Sequence, residues 1–149
     1  MLNEPIDAAL EAPLNNPLEY FLGYQLRRAS QRMLDDLVVA LRDLELRPTN
    51  ASVLLLVAAN PGISQSRIGQ ALAIERANMA PMTAKLVEQE LIRRSRTDGR
   101  SHGLHLTEQG KRVAATVRRR IAEHEGKFWK TTKRRDRTAC LAFLRSIWC

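Results

Sequence analysis

From Leu18 onward, apolar residues recur every three or four positions: Leu18, Leu22, Leu26, Ala29, Met33, Leu37 and Leu41. That spacing predicts an amphipathic helix of roughly six to seven turns, stopped by Pro48. Residues 1–17, with Pro5, Pro13 and Pro17, read as an irregular arm before it. The next segment is apolar on most faces (Val53, Leu54, Leu55, Leu56, Val57), which predicts a buried helix capped by Thr49 or Asn50. Asn60-Pro61-Gly62 ends it as a turn. Ser64 then caps a helix with Ile68, Ala71 and Leu72 facing inward, and another follows over about Glu75 to Gln89. Pro81 cannot donate a backbone N–H and disfavours the helical conformation at Ala80, so that helix either begins late or bends. Leu91–Arg96 and Ser101–Leu106 are short strands joined by Thr97-Asp98-Gly99-Arg100, which carries an Asp-Gly hairpin signal. Thr107 caps a long helix with Val113, Val117 and Ile121 on one stripe. A last helix over about Asp136 to Trp148 places Leu141, Leu144, Ile147 and Trp148 at helical spacing.

The order ααααββαα defines a mainly α fold with a small β-hairpin wing: a winged helix–turn–helix flanked by N- and C-terminal dimerisation helices. At 149 residues the chain suffices for one domain with its own core. That domain spans 18–149, with outer helices at 18–46 and 107–149 and a DNA-binding lobe at 48–106. The outer helices are long for so small a core. Their apolar stripes pack either within the chain or, more simply, against a second copy.

Charge sharpens the picture. The net charge is +8, and residues 1–26 hold Glu4, Asp7, Glu11 and Glu19 but no Lys or Arg. Residues 111–137 carry eleven Lys or Arg against Glu123, Glu125 and Asp136. Such an excess favours a polyanionic partner, nucleic acid first. No apolar run approaches a membrane span and the N-terminus lacks a signal-peptide pattern, which predicts a cytoplasmic protein that does not engage membranes. Cys140 reads as a small core residue and Cys149 as a terminal one, and neither belongs to a metal or redox motif. His102 and His105 lie three apart on a strand, so they point to opposite faces and cannot share a metal. His124 stands alone among charges, and Asp35-Asp36 diverge on their helix. With no paired carboxylates, nucleophile triad or phosphate loop, an enzyme is not expected, nor a cofactor.

The stretch Ile74-Glu75-Arg76-Ala77-Asn78-Met79-Ala80-Pro81, then Leu91-Ile92-Arg93-Arg94, Asp98-Gly99-Arg100 and Leu104-His105-Leu106-Thr107-Glu108-Gln109-Gly110-Lys111, resembles the MarR family of bacterial regulators. The match covers about residues 20–148 and is most specific at the wing, with its Asp-x-Arg tip and following Leu-Thr-x-x-Gly. The resemblance implies an obligate homodimer with two winged lobes that binds pseudo-palindromic double-stranded DNA. It also implies release by a small anionic aromatic effector held between the dimer helices and the DNA-binding lobe, and control of genes for aromatic-compound catabolism or efflux. One departure is Glu90, where the family usually has the glycine suited to a left-handed helix cap.

On that footing Arg76, Asn78, Met79 and Thr83 are the base-reading candidates, since Arg suits guanine, Asn suits adenine, and Met or a Thr methyl meets thymine. Lys85 reaches phosphate or is merely solvated. Ser64, Gln65 and Ser66 offer hydroxyls, an amide and free N–H groups to the backbone. On the wing, Arg96 and Arg100 reach the minor groove or its phosphates, and Asp98 orients an Arg. Ligand candidates on the first helix are Tyr20, Tyr24, Arg27, Arg28, Ser30 and Gln31, where rings stack on a phenolic carboxylate and a guanidinium pairs with its acid. Equally, the two tyrosines pack at a dimer seam. Lys127, Lys130, Lys133, Arg134, Arg135 and Arg137 lie away from DNA and would suit an effector with several negative charges, such as an aromatic acyl-coenzyme A thioester. The competing reading is an architectural DNA-binding protein without an effector.

Overall fold

The computed structural model describes residues 14–96, 102–130 and 132–148, and divides into two compact units at Met33/Leu34. In the first, Asn16 caps a 3-10 helix over Pro17–Tyr20, its side chain accepting from the Leu18 N–H at 3.1 Å. Phe21 is extended, which breaks the continuous helix expected from Leu18. Helix α1 therefore runs over Leu22–Leu41. The Asn16 amide donates to the Tyr24 hydroxyl at 3.0 Å, and Gln25 Nε2 donates to the Glu19 carbonyl at 2.7 Å, tying the short helix to the start of α1.

The second unit begins with the rest of α1, which ends in a 3-10 turn (Arg42–Leu44) and Glu45 in the left-handed region. Helix α2 spans Pro48–Ala59. Pro48 starts this helix rather than stopping the previous one; Arg47 is the cap, not Thr49 or Asn50. A proline at the first helical position gives up an N–H that would have no helical partner anyway. A two-residue strand β1 (Ile63–Ser64) precedes α3 (Gln65–Ala71), and α4 follows over Arg76–Glu88. Strands β2 (Ile92–Arg96) and β3 (His102–Leu106) complete an antiparallel sheet of order β1-β3-β2. Helices α5 (Glu108–Trp129) and α6 (Arg134–Trp148) close the chain.

The core joins α2 to the helix–turn–helix and the sheet through Leu54, Ile68, Met79, Leu86, Ile92 and Leu104, with Leu41 and Val117 also fully buried. Ala71, expected inside, is exposed. Helix α4 does not begin late: it starts at Arg76 and runs through Pro81, the sixth residue of the helix. The lost bond leaves only the exposed Ala77 carbonyl without its helical donor. After α4, the Leu91 N–H bonds the Leu86 carbonyl and the Glu90 N–H bonds the Val87 carbonyl, both at 2.9 Å. This is a Schellman ending with Glu90 (φ +56°) where glycine normally sits.

The Leu-Thr-x-x-Gly run owes its spacing to one joint. Thr107 Oγ1 accepts from the Gly110 N–H at 2.9 Å and donates to the Glu90 carbonyl at 2.5 Å, pinning the start of α5 to the end of α4. A Cβ on Gly110 would overlap the Leu91 carbonyl. Cys140 is exposed, contrary to its expected place in a core, because it lies on α6, which buries none of its residues.

Candidate nucleic-acid interface

Helices α3 and α4 and the sheet surround an open cavity of about 860 Å³. Ser64, Gln65, Ser66, Arg76, Arg94 and His102 are among its walls. Ser64 caps α3, its hydroxyl accepting from the Arg67 N–H at 3.3 Å. Ser66, Arg76, Asn78 and Lys85 present their side chains to solvent. Arg76 and Asn78 stand in the first turn of α4, where a recognition helix meets base edges.

Two expected base readers face the other way. Met79 is 1% exposed and Thr83 0% exposed, and both pack with Leu86 on the inner stripe of α4. The Thr83 hydroxyl shares its proton among Gln65 Oε1 at 3.0 Å and the Met79 and Ala80 carbonyls at 3.1 Å. Gln65 and Thr83 thus lock α3 against α4. They set the angle of the helix pair, and Met79 and Thr83 have no surface to offer a base. The spacing 79, 83, 86 is itself an inward helical stripe, so periodicity held the signal.

Sequence reasoning passed over Arg94 and His102, which line the same cavity. Period-two alternation in β2 sets Arg94 on the opposite side of the sheet from Arg93, and that signal could have found Arg94. Arg93 pairs with His105 in register, and Arg96 with His102. His102 and His105 do face opposite ways, lining different cavities. Asp98, Arg100 and the Arg96 side chain lie outside the described residues.

On α1, the Arg27 guanidinium sits 5.6 Å from the Tyr24 ring centroid, a cation–π distance. Helical spacing collects Tyr24, Arg27, Arg28 and Gln31 on one face and sends Ser30 elsewhere. Tyr20, in the preceding 3-10 helix, is 91% exposed. Of the basic group near the end of α5, Arg137 is occupied: it donates to the Trp129 carbonyl at 2.6 Å and the Thr132 carbonyl at 3.0 Å, and stacks on the Trp129 ring. It caps α5 rather than awaiting a ligand. Arg135 contacts Asp136 at 3.4 Å, while Lys127, Lys130, Lys133 and Arg134 are at least partly exposed. His124 is not among charges but 2% exposed, edge-on to Phe128 with centroids 5.1 Å apart.

Among the described residues, no group of three or more His, Cys, Asp or Glu is placed to hold a metal ion, and no helix is long and apolar enough to cross a membrane.

A helix pair with an exposed Arg/Asn first turn, beside a basic two-faced wing, defines a winged helix–turn–helix DNA-binding protein. Residues 44–101 match the family model described as MarR family. Over 87% of this chain and 94% of the other, the fold superposes with a TM-score of 0.82 and 37% identity on the transcriptional repressor CouR bound to a 23-mer DNA duplex. A structure of CouR bound to p-coumaroyl-CoA matches at 34% identity and a TM-score of 0.81, covering 91% and 97% of the two chains. A candidate transcriptional regulatory protein for the hcr operon of Thauera aromatica is 24% identical over 148 residues, 97% of this chain and 89% of that one. The chain belongs to the MarR family: it is a winged helix–turn–helix transcriptional regulator.

Proposed function

We propose that this regulator is a homodimeric repressor that binds a pseudo-palindromic operator and leaves it when an aromatic acid or aromatic acyl-coenzyme A thioester binds. One copy of α4 enters each major groove, with half-sites about one helical turn, roughly 10 base pairs, apart. The observation that carries this reading is the exposed pair Arg76 and Asn78 at the start of α4, beside Ser66 and the basic wing. A dimer is supported by apolar side chains left in solvent on α1 and α6, among them Leu34, Val38, Phe143 and Ile147. The effector class is supported by the relative solved with p-coumaroyl-CoA, and by the Tyr24–Arg27 pair on α1. Ligand acts through its different affinity for dimers that do and do not match the operator spacing. Genes for aromatic-compound catabolism or efflux are the expected targets.

The test is fluorescence anisotropy on the DNA upstream of the protein's own gene and on random DNA, at two salt concentrations. It is repeated with aromatic acids and their coenzyme A thioesters. Tight, specific binding relieved by one compound is the expected result. Salt-sensitive binding to all DNA alike, untouched by every compound, would replace this reading with the architectural one. Asn78→Ala should cost about 1–3 kcal/mol on the operator and nothing on random DNA. Arg100→Ala should lower the salt slope by about one. Equal loss on both DNAs from Asn78→Ala would remove it from base reading.

A further inference from the structure

The buried stripe of α4 contains one polar side chain, Thr83, beside Met79 and Leu86. A valine would fill the same space with no hydroxyl to satisfy, so burial alone does not account for a threonine. The Met79 and Ala80 carbonyls within 3.1 Å of the hydroxyl already belong to the hydrogen-bond ladder of the helix. The acceptor from another element is Gln65 Oε1 at 3.0 Å. Gln65 opens α3 and, half-buried, lines the open cavity beside the recognition helix. A glutamine amide has one accepting end and one donating end. With Oε1 turned in to Thr83, Nε2 is the end left over, and it has no protein partner among the described residues. Ser66, Arg76 and Arg94 line the same cavity, and Glu75 is the one acid among its described walls. Donors and cations collected this way face the acceptor that DNA offers, an anionic phosphate oxygen.

We propose that Thr83 is a positioning residue for DNA binding: its hydroxyl holds the Gln65 amide with the donor end outward, and Gln65 Nε2 donates to a phosphate oxygen of the DNA backbone. The acceptor is a phosphate rather than a base edge because Gln65 stands on the first helix of the pair. That helix crosses the backbone, while the second, with Arg76 and Asn78, lies in the groove. Thr83 itself never touches DNA. Without its hydroxyl the amide turns about its last bond, and in one of its two settings it presents an oxygen that a phosphate repels. The bond thus does more than join α3 to α4, since it decides which end of Gln65 the DNA meets. The inference goes beyond the ligand-released repressor reading and needs only the DNA-binding fold.

The test is fluorescence anisotropy of the full-length protein on two duplexes: one that the unmodified protein selects from random-sequence DNA, and a scrambled one of the same composition. Thr83→Val should weaken binding to both by about two- to tenfold, the worth of one positioned hydrogen bond. Thr83→Ser, which keeps the hydroxyl, should recover most of that loss. Gln65→Ala should weaken both duplexes similarly, and adding Thr83→Val to it should change nothing further. Gln65→Glu keeps an oxygen for the Thr83 hydroxyl but turns the other, charged, toward the phosphate, so it should bind more weakly than Gln65→Ala. A further loss when Thr83→Val is added to Gln65→Ala would show that Thr83 acts by packing, and overturns the inference. A loss confined to the selected duplex overturns the phosphate contact. Gln65 is partly exposed, so its variants stand even if Thr83→Val does not fold, and Gln65→Glu binding as tightly as Gln65→Ala overturns the outward donor by itself. No effector enters these comparisons, so the failure of every compound to release the operator falls on the function proposed above and not on this pair.

Discussion

Glu90 holds a backbone conformation that L-residues avoid, at φ +56°. The Schellman bonds around it and the Thr107 hydroxyl on its carbonyl keep it there. A left-handed non-glycine residue costs about 1–2 kcal/mol, part of which glycine returns through its freer unfolded state. Glu90→Gly should therefore raise stability by about 1 kcal/mol, seen as a melting point about 2–4 °C higher. A lower melting point would mean that the Glu90 side chain makes a stabilising contact. Gly110 is the opposite case, since any side chain there meets the Leu91 carbonyl. Gly110→Ala should cost about 3 kcal/mol or more and leave little folded protein in a thermal melt. Both positions were visible in the sequence, one as a departure from the family pattern and one inside its signature. The direction of Met79 and Thr83 was not read, because chemistry suggested bases where the helical period already pointed them inward.

Between elements, the period-3.6 and period-2 patterns named the six α-helices and both hairpin strands found among the described residues, and missed what is too short to have a period. Strand β1 has two residues, and the 3-10 segments have three or four. The break at Phe21 is a backbone choice within an unbroken apolar stripe, so spacing alone passed over it. A contact far apart in sequence was equally invisible: Arg120 of α5 grips Asp43 in the turn after α1. Its Nη2 lies 2.6 Å from Oδ2, and Nη1 donates to the Ala40 carbonyl at 2.8 Å. The guanidinium's hydrogen bonds hold the Asp43 carboxyl below its ordinary range. With the folded value depressed, the unfolded chain binds the proton more readily. The contribution is thus complete above the unfolded carboxylate range, near pH 4, and is lost as pH falls through the lower folded value. Asp43→Asn should be less stable than the parent at pH 7, with the gap closing below about pH 4. Denaturant melts at pH 3 and 7 measure it, and a gap independent of pH would show that the pair acts by packing alone.

For the molecule as a whole, the unit that recognises DNA carries its own core, whereas α6 carries a surface that makes sense only when covered. Trp148 is 73% exposed, with Leu141, Phe143 and Ile147 also in solvent on the same helix. Large apolar side chains grouped this way mark an interaction surface. The sequence foretold it as a stripe too long for its core, but it could not name the partner, because a stripe records burial and not what buries it. In the homodimer proposed above, a second copy covers this surface, and one recognition helix per chain then suffices for an operator. Two lobes held at fixed spacing bind as one, with an avidity about a hundredfold or more above a single lobe. Replacing Leu141 and Ile147 together with Asp should turn a dimer into a monomer in sedimentation velocity. The core of the DNA-binding lobe lies elsewhere, so the near-native melting of that lobe should remain. Operator affinity should fall by about the same hundredfold, while random-DNA binding per chain changes little. A variant that stays dimeric and keeps its operator affinity would place the self-association surface elsewhere than on α6.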